Sequence, residues 1–188
     1  MRLICFGDSN TYGYDPRSPL GERYPQRWTR LLPPPWEVVE LGQNGREISA
    51  APGALAALLR PEDLLAVMLG SNDLLSHPRF TARDAAGRMD AFLSALPHCS
   101  VLLIAPPPMC RGTWVAEERL LRESAALAGE YRALAQRRGI LFADAGEWGV
   151  ALAYDGVHFT PEGHRAFAVG LCSLLEERFP LHLPPEGA

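Results

Sequence analysis

Short apolar runs with no polar face alternate with longer helical patterns along this chain, and that alternation constrains the fold more than anything else in the sequence. Leu64–Leu69 is the plainest case, apolar at every position. A run so short and so apolar suits a strand buried on both faces. Leu3–Phe6, Val101–Ala105 and Ile140–Ala143 read the same way, and Trp36–Leu41, rich in valine, reads as a further strand. Helices are expected between them: Arg23–Leu32, stopped by Pro33-Pro34-Pro35, then Ala54–Leu59, Ala82–Leu96, Val115–Arg138 and Pro161–Phe179. Thr160 suits the N-cap of the last helix and Pro161 its first residue. Strands covered on both sides imply a parallel sheet between two helical layers, a three-layer α/β domain. A length of 188 residues, nearly half of them hydrophobic, suits a single domain over 1–180, with a Pro/Gly-rich tail over 181–188.

Charge and composition narrow the partners. A net charge of −4, with no block of like charges, gives no electrostatic reason to expect nucleic acid. The apolar start Leu3–Phe6 is too short for a secretory signal and lacks a small-residue cleavage site. No stretch is long enough to span a bilayer. The expected location is cytoplasmic, without a membrane partner. Cys5, Cys99, Cys110 and Cys172 are scattered with no CxxC pair, so free thiols are expected rather than a metal site.

In open parallel sheets, ligands bind beyond the carboxyl ends of the strands. Polar segments gather where those ends are expected. Gly7-Asp8-Ser9-Asn10 follows the first strand and can present the Ser9 hydroxyl at the sheet edge. Gly42-Gln43-Asn44-Gly45-Arg46 follows the second, where glycine lets a backbone approach a ligand closely. Gly70-Ser71-Asn72-Asp73 follows the third, and the Asn72 amide can donate to a developing negative charge. Asp155-Gly156-Val157-His158 precedes the last helix. There a carboxylate three residues before a histidine can fix its tautomer and leave the other nitrogen free to take a proton. Each segment alone reads equally as a turn or a cap; their convergence points to serine-based hydrolysis. Asp8 is expected to support the Ser9 loop by hydrogen bonds or to cap a helix. Trp148 could wall an acyl pocket or pack in the core. His77, His98, His164 and His182 have no acid paired to them in sequence and read as surface or helix residues.

Those four segments, in that order, resemble the conserved blocks of the SGNH (GDSL) hydrolase superfamily. The variant Gly-Asp-Ser-Asn, followed by Thr11-Tyr12-Gly13-Tyr14-Asp15-Pro16, with Arg23-Tyr24-Pro25, Arg27-Trp28 and Asn44-Gly45-Arg46, is similar to its bacterial arylesterase-like branch. The resemblance implies a flavodoxin-like sandwich with five parallel strands. It implies Ser9, His158 and Asp155 as a catalytic triad, and the Ser9 N–H, Gly45 N–H and Asn72 amide as an oxyanion hole. It implies a small acyl ester as substrate, and no cofactor or metal; a small domain with short loops offers little enclosed channel, so a short acyl group, acetyl above all, is expected. An acyltransferase or perhydrolase working through the same acyl-enzyme, and a non-catalytic binding module, stay open as alternatives. One departure stands out. The branch carries a long insertion after its second block, whereas here only Glu47–Gly53 intervenes. That argues against a large ring, leaves a homodimer or small homo-oligomer open, and implies an open site.

Overall fold

A computed structural model describes residues 1–49 and 51–180 of the chain. In chain order these form β1 (Arg2–Gly7), α1 (Ser9–Tyr12), α2 (Trp28–Leu31), β2 (Glu37–Gly42), α3 (Ala54–Leu58), β3 (Leu64–Met68), α4 (Ser71–Ser76), α5 (Ala82–Ser94), β4 (Ser100–Ala105), α6 (Glu118–Arg138), β5 (Leu141–Asp144), a 3-10 turn (Ala145–Trp148) and α7 (Pro161–Arg178). The tail expected over 181–188, and His182 with it, lies outside the described residues.

The strands pair in parallel in the order β2-β1-β3-β4-β5. Side chains alternate across the sheet, as strand geometry demands. Ile4, Leu65, Val67, Leu103 and Ala105 face one helical layer, formed largely by α5 and α6 through Met89, Phe92, Leu127 and Leu134. Leu3, Cys5, Leu64, Ala66, Leu102 and Ile104 face the other, where Trp28 of α2 and Phe167, Leu171 and Leu175 of α7 cover them. Each fully buried leucine, isoleucine, valine, phenylalanine or methionine among them contributes about 1.5–3 kcal/mol relative to exposure. A one-residue slip in register would swap the two sets and set each against the wrong helical layer. The result is the expected three-layer α/β sandwich around a five-stranded parallel sheet.

Register sets the stage for the site. Gly7 of β1 pairs with Gly42 of β2 and with Met68 of β3, so three strand ends finish side by side. Gly42 lets α1 lie directly on that edge: a Cβ there would sit 2.1 Å from the Tyr12 backbone nitrogen.

The expected helix over Arg23–Leu32 shrinks to Trp28–Leu31. Its first half is extended instead: Arg23 bridges Tyr14 antiparallel, and the Tyr24 N–H donates to Gly13 O at 2.7 Å. Pro25 explains the change, since the residue before a proline is pushed out of the helical region. The long helix begins at Glu118 rather than Val115, because Val115 closes a turn onto Gly112. Thr160 caps α7 by accepting from Gly163 N, with Pro161 at its first turn. Among the described residues, no helix is long and apolar enough to cross a membrane.

Candidate active site

The strand ends deliver the site residues one by one. After β1 the chain turns straight into α1, and Asp8 caps it by accepting from the Asn10 N–H at 2.9 Å. Ser9 is therefore the first residue of a short helix perched on the sheet edge, and it is 6% exposed. Both roles considered for Asp8 are one and the same here: the cap is the support. Burial pushes the Asp8 carboxyl up to about 6, against the Asn10 N–H and the nearby charges of His158 and Arg46, which pull it down.

His158 arrives from the other end of the chain. Its Nε2 lies 3.0 Å from Ser9 Oγ, and its Nδ1 lies 2.7 Å from Asp155 Oδ2. The other oxygen, Asp155 Oδ1, accepts from the N–H groups of Val157 and His158 at 2.9 and 3.0 Å. Burial works to raise the Asp155 carboxyl, but the histidine and the two backbone donors outweigh it and hold it below the usual carboxylate range. A carboxylate three residues ahead can reach its histidine because Gly156 turns with φ +84°. A side chain there would also strike Cys110 O.

The segment after β4 grips this same loop. Cys110 N–H donates to Gly156 O at 3.1 Å, Thr113 N–H to Tyr154 O at 3.2 Å and Trp114 N–H to Asp155 O at 3.1 Å. It carries Trp114, half exposed, with its ring edge-on to the His158 imidazole at 5.0 Å between centroids. Tyr14 lies against the same imidazole at 4.7 Å. Trp114 carries no mark in the sequence, and Tyr14 is part of the run after Asn10 without being singled out there as a neighbour of His158. Trp148, the candidate wall, packs instead in the core against Phe167 and over Gly170.

Gly45 and Asn72 come from the ends of β2 and β3. One Asn72 Nδ2 hydrogen donates to Arg46 O at 3.1 Å, which leaves the second free, since an amide nitrogen carries two. Next to it, Asp73 Oδ2 accepts from Ile48 N–H at 3.1 Å and Oδ1 from Arg88 at 2.9 Å. Together Asn72 and Asp73 hold the 45–48 segment against α4. Among the described residues, neither the Ser9 N–H nor the Gly45 N–H meets an acceptor. Ser9, Tyr14, Asn44, Gly45, Asn72, Trp114 and His158 enclose a cleft of about 220 Å³. Of the site residues named from sequence, Ser9, Gly45, Asn72 and His158 border this cleft, Asp155 hydrogen-bonds to His158, and Asp8 caps the helix that Ser9 begins. The arrangement can draw a hydroxyl proton onto an imidazole and present amide donors to an oxyanion beside it.

The other histidines divide. His77 bonds to Glu47 at 2.8 Å, an acid thirty positions away that local spacing did not reveal. His98 is exposed. His164 is on α7 but fully buried, not at the surface. Among the described residues, no group of three or more His, Cys, Asp or Glu side chains is placed to hold a metal ion.

Residues 5–166 match the profile of the GDSL-like lipase/acylhydrolase family. No match was found among curated proteins. Among solved structures, the chain is similar to the native aryl esterase of M. smegmatis (28% identity over 94% of this chain and 98% of that one, TM-score 0.82). It is also similar to a carbohydrate acetylesterase from Sinorhizobium meliloti (27% identity, 95% and 99% covered, TM-score 0.80). A lipolytic G-D-S-L family protein of Veillonella parvula shares the fold at 19% identity (97% and 100% covered, TM-score 0.72).

Proposed function

The chain belongs to the GDSL-like lipase/acylhydrolase family of carboxylic ester hydrolases, and from that premise we propose that residues 1–180 form one catalytic domain that cleaves small, short-chain acyl esters, acetyl esters foremost, through an acyl-enzyme on Ser9. The observation that carries this reading is the continuous chain from Ser9 Oγ to His158 Nε2 at 3.0 Å and from His158 Nδ1 to Asp155 Oδ2 at 2.7 Å.

Ser9 Oγ attacks the ester carbonyl while His158 Nε2 takes its proton. Asp155 keeps the imidazole in the tautomer that leaves Nε2 free, and its charge stabilises the imidazolium without accepting the proton. The carbonyl oxygen, now negative, is met by the Ser9 N–H, the Gly45 N–H and the free hydrogen of Asn72 Nδ2. Losing one such donor costs roughly 3 kcal/mol of transition-state stabilisation. His158 returns its proton to the departing alcohol beside the rings of Trp114 and Tyr14. Water then repeats the cycle in reverse and frees the acid. Asp8 supports the nucleophile by capping the helix that Ser9 begins.

The cleft of about 220 Å³ supports a short acyl group. Likeness to an aryl esterase and to a carbohydrate acetylesterase supports the same class. The test is a series of nitrophenyl esters of rising chain length, with the Ser9→Ala variant alongside. Acetate should turn over fastest and Ser9→Ala should be inactive while still folded. Retained turnover by Ser9→Ala would refute the mechanism, and a preference for long chains would refute the substrate class.

A further inference from the structure

We propose that Asn10 is a positioning residue for this reaction: its side chain braces the loop carrying His158 against the helix carrying Ser9. The inference rests on the acyl-enzyme mechanism above and adds what sets its central distance.

Ser9 and His158 are separated by 149 positions in the chain. Whatever fixes their spacing must cross from α1 to the 155–159 loop, and Asn10 does so twice. Its Nδ2 donates to Val157 O at 3.1 Å, and its Oδ1 accepts from Phe159 N–H at 2.8 Å. Those two backbone groups belong to the residues immediately before and after His158, so one amide grips the loop on both sides of the imidazole. Asn10 is itself immobilised. It is 4% exposed, its N–H is held by Asp8 Oδ1 at 2.9 Å, and its carbonyl accepts from Trp28 Nε1 at 3.0 Å. The segment after β4 holds residues 154–156, ahead of the histidine; among the described residues, the hydrogen bonds that tie the histidine's own neighbours to the nucleophile's helix are those of Asn10.

Asparagine suits this position for a stereochemical reason. The loop offers one acceptor and one donor, and a primary amide of this length answers both. An ionised aspartate keeps the acceptor for Phe159 N–H but offers Val157 O no hydrogen and sets a negative charge against it. Alanine answers neither, and glutamine is one methylene too long.

Without the brace, the loop is free to carry Nε2 away from Oγ. A displacement of ~1 Å from productive geometry can cost on the order of 100-fold in rate. The loss should also depend on the leaving group. A nitrophenolate departs with little help, whereas an alkoxide needs the proton that His158 returns. A displaced imidazole therefore penalises alkyl esters more than nitrophenyl esters of the same acid. General destabilisation of the fold would not discriminate between them.

The experiment compares Asn10→Ala and Asn10→Asp with the unmodified protein, using nitrophenyl acetate and an alkyl acetate, with kcat, KM and melting midpoint for each. We expect kcat to fall about 10- to 100-fold on nitrophenyl acetate, further on the alkyl acetate, with KM little changed. If Asn10→Ala does not fold, Asn10→Asp, which keeps volume and one of the two bonds, decides the matter. A folded variant with undiminished kcat, a loss confined to KM, or equal losses on the two esters would overturn the brace. Turnover by Ser9→Ala would instead overturn the mechanism beneath it; an inactive Ser9→Ala beside a fully active Asn10→Ala would remove the brace alone.

Discussion

The loop before α7 and the first turns of α7 each bury a histidine, His158 at 3% exposure and His164 at 1%, and they put it to opposite uses. In the loop, both ring nitrogens of His158 have polar partners, a carboxylate on one side and a hydroxyl on the other. In the helix, His164 packs between Tyr24 and Phe159. Its Nδ1 accepts a long 3.4 Å bond from Trp28 N–H, and its Nε2 has no partner among the described residues. Burial, with help from the Arg27 charge, pulls His164 down to about 4. Burial alone makes a histidine a neutral packing piece. In the proposed mechanism, a paired acid on one nitrogen and a nucleophile on the other make it a base.

That contrast can be broken or sharpened by substitution. The largest effect belongs to the loop: His158→Ala should lower kcat by about 10⁴-fold or more, because triad members act as a unit, while the protein stays folded by circular dichroism. An equal loss from His164→Asn would erase the distinction between the two regions. Asn72→Ala comes next, with kcat down by about 10²- to 10³-fold and KM little moved, as expected of a donor engaged in the transition state. Steady-state kinetics on nitrophenyl acetate reads both.

The helix histidine should register in stability instead. Its folded value lies below the ordinary histidine value of 6.5, so the unfolded chain takes up the proton first as pH falls. Stability is held above pH 6.5 and lost on the way down to about pH 4, by about 3 kcal/mol. His164→Asn should flatten that acid limb in denaturant melts and leave kcat unchanged. Asp155 and Asp8, both buried at the site, give a parallel contrast. Asp155 has enough donors to outweigh burial and sits low, whereas Asp8 does not and rises to about 6. A raised carboxyl stabilises the fold below its unfolded value of 3.8, and that contribution is lost as pH climbs through 6. Asp8→Asn, which keeps the cap on Asn10 N–H, should therefore gain about 2–3 kcal/mol over the unmodified protein at pH 8 and nothing at pH 3.

What the sequence disclosed follows the same physics. Doubly apolar strands announce themselves because burial on both faces leaves no polar position, so Leu64–Met68 was legible to within a residue. The site blocks were legible because they follow those strands directly. The four-residue α1 and six-residue α4 were not, since neither is long enough to display a helical period. The Arg23–Leu32 segment misled because its apolar spacing suits a helix, while Pro25 and the pairing of Tyr14 with Arg23 favour extended backbone. The contacts of Trp114, and the role of Asn10 within its block, were illegible for another reason. Their partners lie far along the chain, and nothing local marks a residue whose contacts span 147 positions.

The central claim is that Ser9 carries the acyl group between its two fates. Acid-quenching the protein during turnover of nitrophenyl acetate and mapping its peptides by mass spectrometry tests this most directly. An acetyl group on Ser9, absent from the His158→Ala protein, is the expected result. Steady turnover with no acetyl group on Ser9, or with the acetyl group on another side chain, would contradict it.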